Sequence, residues 1–241
     1  MHLKMKEKQI MKYVKTVGKA INTYTMIEAG DTICIALSGG KDSLVCMDAL
    51  YRRLSYLPIH YTLYCCHVNV TNFTNKSINI LQSYCSIYNI PLIIKDITLD
   101  LSIKGSSPCF VCSWYRRKAL FETAAQLNCK KIAFGHNQDD IIITFFLNML
   151  YHGKLSTMPP KLKMFNGALE IIRPLAFLTE AQIKGYIKAL PLSPIENECP
   201  YKDCTKRYQM KELLKNLNKT IKGAQSNIFH SLSHWDDDYL L

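Results

Sequence analysis

Ile33-Cys34-Ile35-Ala36-Leu37-Ser38-Gly39-Gly40-Lys41-Asp42-Ser43 is the stretch from which the fold can be read. It opens as a short apolar run, the pattern of a buried strand. It closes in Ser-Gly-Gly-Lys-Asp-Ser, then turns amphipathic through Leu44, Val45, Met47, Leu50 and Leu54, the spacing of a helix. Gly39 and Gly40 permit backbone angles closed to other residues and let a ligand approach the main chain. The free N–H groups at a helix start favour an anion. Lys41 adds a full positive charge, and Ser38 and Ser43 add hydroxyl groups. A strand, a glycine turn and a helix of this composition are suited to hold phosphate.

The totals narrow the rest. A chain of 241 residues, 48% of them hydrophobic, can bury a sizeable core. No apolar run approaches the ~20 residues of a membrane span, and the lysine-rich start lacks a signal-peptide core. The expectation is a cytoplasmic protein with no membrane contact. Ten cysteines in such a chain are not expected to pair as disulfides. Cys34, Cys46, Cys65, Cys66, Cys85 and Cys129 lie in apolar runs and read as core. Cys109, Cys112, Cys199 and Cys204 have polar or proline neighbours and are the candidates for chemistry. The net charge of +11 is uneven: residues 104–131 carry six basic residues against one acidic, and residues 151–223 thirteen against six. Such clustering suits a polyanion larger than a nucleotide, RNA above all, although it also serves solubility.

Along the chain, Ile10, Val14, Val17, Ile21, Tyr24 and Ile27 predict an amphipathic helix over residues 5–28. Further strands are expected at 61–68, 91–94, 131–135 and 171–175, and helices at 77–88, 113–127, 141–150, 179–190 and 205–218. Met158-Pro159-Pro160-Lys161 reads as a stiff turn, and the polar tail beyond Gly223 as loosely held. Alternating strands and helices imply parallel pairing with right-handed crossovers. The fold class is α/β, a doubly wound, mostly parallel five-stranded sheet. The divisions expected are an N-terminal basic helix at 1–30, a nucleotide-binding domain at 31–178 with an inserted CxxC loop, a helical extension at 179–222, and a tail at 223–241. Ligands of such sheets lie at the carboxyl ends of the strands, which gathers residues 38–43, His67 and Gly135-His136-x-x-Asp139-Asp140 on one rim.

A carboxylate of Asp139 or Asp140 there could hold the Mg²⁺ that ATP carries or orient a nucleophilic oxygen; both also suit a helix N-terminus without further function. His136 is a donor to a nucleotide or a structural histidine. Cys109-x-x-Cys112 admits a metal site, a redox pair or chance. Zinc would require all four loop cysteines, and an iron–sulfur cluster also takes thiolates. Arg116, Arg117 and Lys118 would lower the thiol pKa values.

The Ser-Gly-Gly-Lys-Asp-Ser loop is not the Walker form, since Ala36 stands where its first glycine belongs. It resembles the PP-loop of enzymes that cleave ATP between the α and β phosphates. With Pro-Cys-x-x-Cys before Arg116-Arg117, Gly-His-x-x-Asp-Asp, the segments 148–154 and 158–161, and Ile172-Arg173-Pro174-Leu175, the order of motifs over residues 6–215 resembles the TtcA family, the tRNA 2-thiocytidine synthetases. That resemblance implies ATP and Mg²⁺ as cofactors, a [4Fe-4S] cluster on three cysteines, and thiolation of cytidine 32 in the anticodon loop of tRNA. It implies that Ser38, Gly39, Gly40, Lys41, Asp42 and Ser43, with His67, Gly135 and His136, bind the nucleotide. Lys41, Asp139 and Asp140 would be catalytic. Cys109, Cys112 and Cys199 would ligate the cluster, with Cys204 the alternative third ligand, because residues 199–204 are spaced more widely than the family's C-x-x-C. A sulfur donor such as a cysteine desulfurase is implied, and a homodimer is left open. Other PP-loop adenylating enzymes, lysidine-forming or thiouridine-forming, and a non-catalytic zinc-containing RNA-binding module are the competing readings.

Overall fold

The computed structural model describes residues 2–56, 58–70, 75–99, 108–195, 206–236 and 238. The chain runs α1 (His2–Thr23), β1 (Thr32–Ala36), α2 (Lys41–Leu54), β2 (Thr62–Val70), α3 (Asn75–Ile87), β3 (Leu92–Ile97), α4 (Pro108–Gln126) and β4 (Lys131–Ala133). It continues through α5 (Gln138–His152), β5 (Lys161–Met164), a 3-10 turn (Phe165–Gly167), β6 (Leu169–Ile172), α6 (Glu180–Ala189), α7 (Lys206–Thr220) and α8 (Ala224–Ser231). The strands form one sheet in the order β3-β2-β1-β4-β6-β5, parallel except for β5.

Side chains alternate across this sheet as the pleat requires. Ile33, Ile35, Leu63 and Cys65 pack under α1, α2, α3 and α6; Cys34, Cys66, Val68 and Ile132 pack under Ala119, Leu120 and Ala124 of α4. The cysteines expected in the core are buried there. A separate cluster joins α5 to α7 and α8 through Ile142, Phe146, Met210 and Leu214. The N-terminal helix buries Ile10, Val14, Val17 and Ile21 as its periodicity predicts, but it stops at Thr23 because Thr25 takes a left-handed φ of 45°.

Three departures matter. The sheet has six strands, not five: the proline turn at 159–160 brings Lys161–Met164 back against β6, where Lys161 pairs with Ile172 and Met164 with Leu169. Four residues on an edge, two of them lysine, give a weak strand signal. Ala224–Ser231, in the stretch expected to be a loose tail, form α8, whose Phe229 meets the Phe177 ring edge-on at 6.0 Å. Helix α4 begins at Pro108 rather than at Ser113, with proline at its first position, where its missing N–H costs nothing. Cys109 and Cys112 therefore occupy the first turn of a helix, not the loop before it.

The sheet changes direction between β1 and β4: the chain builds outward through β2 and β3, then crosses back to the other side of β1. A crevice at such a switch point, at the carboxyl ends of the strands, is where ligands of open α/β sheets bind. The glycine loop leaves β1 there, and residues 135–140 leave β4 beside it.

Candidate active site at the switch point

The loop is held open by its own polar atoms. Gly39 sits at φ +83°, a conformation suited to glycine, and its carbonyl accepts a 2.9 Å hydrogen bond from the Ile195 amide. Ser38 Oγ accepts from the Gly40 amide at 3.3 Å and donates to Ser43 Oγ at 3.2 Å; Ser43 Oγ donates to the Gly40 carbonyl at 2.9 Å. Gly40 is the N-cap of α2 but supplies no side-chain cap. The amides at the start of the helix are thus available to an anion.

The second loop is pressed against the first. A Cβ on Gly135 would lie 2.8 Å from the Asp42 carbonyl carbon and oxygen and 2.9 Å from the Ser43 nitrogen. Asn137 Nδ2 donates to Asp42 Oδ1 at 3.0 Å, while its side-chain oxygen caps α5 by accepting from the Asp140 amide at 3.2 Å. Gly135→Ala should consequently displace the loop. The expected result is a loss of about 1–3 kcal/mol of stability, the usual range for overpacking, with nucleotide affinity reduced tenfold or more. Thermal unfolding and calorimetric ATP titration read the two effects, and a variant that binds ATP normally would contradict this reading of Gly135.

Lys41 reaches into an acidic neighbourhood, 2.7 Å from Asp42 Oδ2 and 3.7 Å from Glu180 Oε1. Burial opposes its charge, but Asp42, Glu180 and Asp140 outweigh that and hold its pKa above the ordinary lysine value. Asp139 is committed elsewhere: its Oδ2 accepts from the Glu180 amide and from Gln225 Nε2, each at 2.8 Å. Burial raises its pKa. Asp140 Oδ2 accepts from the Asn137 amide at 3.1 Å, and Oδ1 meets Arg207 at 3.1 Å. These carboxylates tie α5 to α6, α7 and α8. Among the described residues no three His, Cys, Asp or Glu side chains converge to hold a metal.

The two histidines differ. His67 is 1% exposed beneath the loop, and its Nδ1 lies 2.8 Å from the Leu37 carbonyl, which makes Nδ1 the protonated nitrogen. It supports the backbone that enters the loop. His136 stacks on Phe134 at 5.4 Å, and its buried Nδ1 has no hydrogen-bond partner. Burial pushes its pKa down to about 4; Asp140 opposes the shift, and Arg173, Arg207 and Arg117 reinforce it. The imidazole is neutral near pH 7, with a nitrogen left over for a ligand.

Helix α4 reaches the same rim. It runs back along the sheet after a parallel crossover, so its N-terminus stands at the carboxyl ends of the strands. Arg117 is near enough to His136, and Arg116 to His67, to lower both histidine pKa values. One turn earlier lies Cys112, half-buried, and two turns earlier Cys109, exposed, both free thiols. Their i, i+3 spacing puts both on one side of the first turn. Cys199 and Cys204 lie outside the described residues, but the residues flanking that segment are anchored on the rim, Ile195 to Gly39 and Arg207 to Asp140.

Of the residues singled out in the sequence, 38–43, Gly135, His136, Asp139 and Asp140 therefore gather at this edge, with His67 beneath it, and the helix turn bearing Cys109 and Cys112 starts at the same edge of the sheet. Asn137, Glu180, Arg207 and Gln225 were not anticipated. Only Asn137 carried a local signal, as an N-cap residue ahead of a helix with Asp140 three positions on.

Residues 5–217 match the PP-loop domain family. A tRNA-cytidine(32) 2-sulfurtransferase of Shewanella loihica is 39% identical over 227 residues, covering 91% of this chain and 71% of that protein. One of Paraburkholderia phymatum is 35% identical over 241 residues, covering 97% and 71%. Among solved structures, the U34-tRNA thiolase NcsA of Methanococcus maripaludis with its [4Fe-4S] cluster superposes with a TM-score of 0.77 at 24% identity, over 96% of this chain and 81% of that one. At that identity the likeness is one of fold.

Proposed function

The chain belongs to the PP-loop domain family and, within it, to the family of the tRNA-cytidine(32) 2-sulfurtransferases, and from that membership we propose that it is an ATP-dependent tRNA sulfurtransferase. It activates the C2 oxygen of cytidine 32 with AMP and replaces that oxygen with sulfur. What supports this reading is that α4, whose first turn bears Cys109 and Cys112, starts at the same carboxyl edge of the sheet from which the glycine loop leaves β1.

In the first step the cytosine C2 oxygen bonds to the α phosphorus of ATP, and the bond from that phosphorus to the bridging oxygen breaks, releasing pyrophosphate. Lys41 and the amides that open α2 face the charge that gathers on the leaving group. Preorganised donors of this kind are commonly the largest catalytic contribution. In the second step the sulfur of a hydrosulfide ion bonds to C2, its proton is released, and AMP departs with the original oxygen. His136, neutral and short of one partner, offers a hydrogen bond to the nucleotide or the base.

Cys109 and Cys112 fit a thiolate-ligated cluster: they are accessible, they share one helical turn, and Arg116 and Arg117 follow to offset thiolate charge. They would hold two irons of a [4Fe-4S] cluster, with Cys199 the third ligand and Cys204 the alternative. When bound, such a cluster with three cysteine ligands would supply one iron without a protein thiolate, able to carry inorganic sulfur. A cysteine desulfurase is the donor class we assign. Asp139 and Asp140 act in this reading by fixing α6, α7 and α8 around the crevice.

The tRNA is gripped through its phosphates by Lys206, Arg207, Lys211, Lys215 and Lys219 along α7, with Arg117 and Lys118 of α4. Affinity for tRNA should fall about a thousandfold between about 50 and 200 mM salt if some six phosphates are neutralised. A salt-independent affinity would refute phosphate contact as its basis. Among the described residues no helix is long and apolar enough to cross a membrane. The function itself is tested by nucleoside analysis of tRNA from cells lacking the gene: 2-thiocytidine should vanish and return with the gene, and its persistence would reject the assignment.

A further inference from the structure

The outward side of α4 carries a large aromatic surface that the chemistry above does not use. Trp114 is 46% exposed, two positions beyond Cys112. Phe110, one turn earlier on the same stripe, is 57% exposed. Lys118, one turn later, holds its ammonium 5.6 Å from the centre of the Trp114 ring. Tyr115 braces the indole edge-on at 5.0 Å. Residues four apart on a helix stand one above another. Phe110, Trp114 and Lys118 therefore form one column, beside a second column of Cys109, Ser113 and Arg117. Arg117 is fastened to its own helix by a 3.3 Å bond from Nε to the Ser113 carbonyl.

A tryptophan half in water, with a lysine ammonium over its ring and a pair of accessible thiols earlier on the same helix, is poorly explained by packing. We propose that Trp114 is a stacking platform for an unpaired nucleobase of the RNA, the neighbour of the base that enters the crevice. This rests on the tRNA reading above and deepens it by naming the residue that receives the loop. A loop base that leaves its stack exposes the faces of its neighbours, and aromatic side chains commonly replace the lost partner. Stacking tolerates any base, since every base has a π face. Lys118 and Arg117 supply the complementary charge for the phosphates on either side of that base. Lys118 also polarises the ring from one side. Trp114 acts here as a positioning residue: it fixes where the loop lies and forms no bond to the reacting atoms.

The sequence has two tryptophans, Trp114 and Trp235. Trp235 is 63% exposed, in the segment after α8. In a Trp235→Phe protein, emission therefore reports Trp114 alone. Titration with an anticodon stem–loop RNA should quench that emission to saturation, and a fully paired duplex of equal length should leave it nearly unchanged. Trp114→Ala should weaken stem–loop binding about tenfold or more, the usual effect of removing one stacking partner. Trp114→Phe should recover most of it, which also excludes misfolding as the cause. If the parent binds and thiolates tRNA while Trp114 emission and the affinity of Trp114→Ala stay unchanged, the platform is refuted and the tRNA reading stands. If the parent binds no stem–loop, both fall.

Discussion

Lys41→Ala abolishes ATP-dependent thiolation while the protein remains folded: this is the first of the two large effects expected. Lys41 is the first residue of α2, and about a quarter of its side chain is exposed (27%), so its loss opens no cavity in the core. What it removes is the cation between Asp42 and Glu180, 2.7 and 3.7 Å away. An incoming triphosphate would then meet two carboxylates with only helix-start amides to offset them. Losing one preorganised charge-stabilising donor usually lowers a rate by about 10²–10³, and the added repulsion pushes this case toward no detectable product. Lys41→Arg should rescue poorly, because a planar fork does not replace a compact ammonium. Thionucleoside formation and thermal unfolding, measured on the same preparations, check both halves. Thiolation at the normal rate in Lys41→Ala would remove the glycine loop from the mechanism.

Cys109→Ser and Cys112→Ser each lose bound iron, the second large effect. Serine is close in size to cysteine, and both positions touch solvent, so folding is spared. The other described cysteines cannot take over. Cys34, Cys46, Cys65, Cys66, Cys85 and Cys129 are buried, and burial pushes the thiols of Cys46 up to about 12 and of Cys129 up to about 11. Sealed in the core, none of the six is open to a cluster at the sheet edge. Iron should fall from about four per chain, the content of one cluster, to a small remainder, and the brown colour should go with it. Cys199→Ser should behave the same way, whereas Cys204→Ser should retain iron if Cys199 is the third ligand. Full iron content in Cys109→Ser would separate the thiol pair from any cluster.

How much of this could be read in advance follows from how local each signal is. The strand, glycine loop and helix at 33–54 were legible because apolar run, turn and amphipathic stripe follow one another without a break, and the helix and strand at residues 131–150 and 171–175 nearly so. The rim placement of the PP-loop-like segment and Gly135 followed from parallel topology alone. The contacts that complete the crevice were not legible. Asn137 meets Asp42 across 95 residues and Gln225 meets Asp139 across 86, and no pattern within either segment names its partner. Helix α8 escaped because eight residues carry little periodicity, and it is held by tertiary contacts such as Phe229 on Phe177. Strand β5 escaped because an edge strand of four residues, half of them lysine, looks like a turn. Glu180 was visible only as a residue of the first turn of α6; its place beside Lys41 depends on how α6 crosses α2.

The central claim is that nucleotide activation and sulfur transfer occur on one base at one edge of the sheet. The measurement that bears on it most directly is the ratio of pyrophosphate released to 2-thiocytidine formed, with anaerobically purified protein, tRNA, ATP and sulfide. We expect one pyrophosphate for each thiolated cytidine, and neither product without tRNA. Pyrophosphate released at full rate with no thiocytidine, or thiocytidine formed without pyrophosphate, would contradict it.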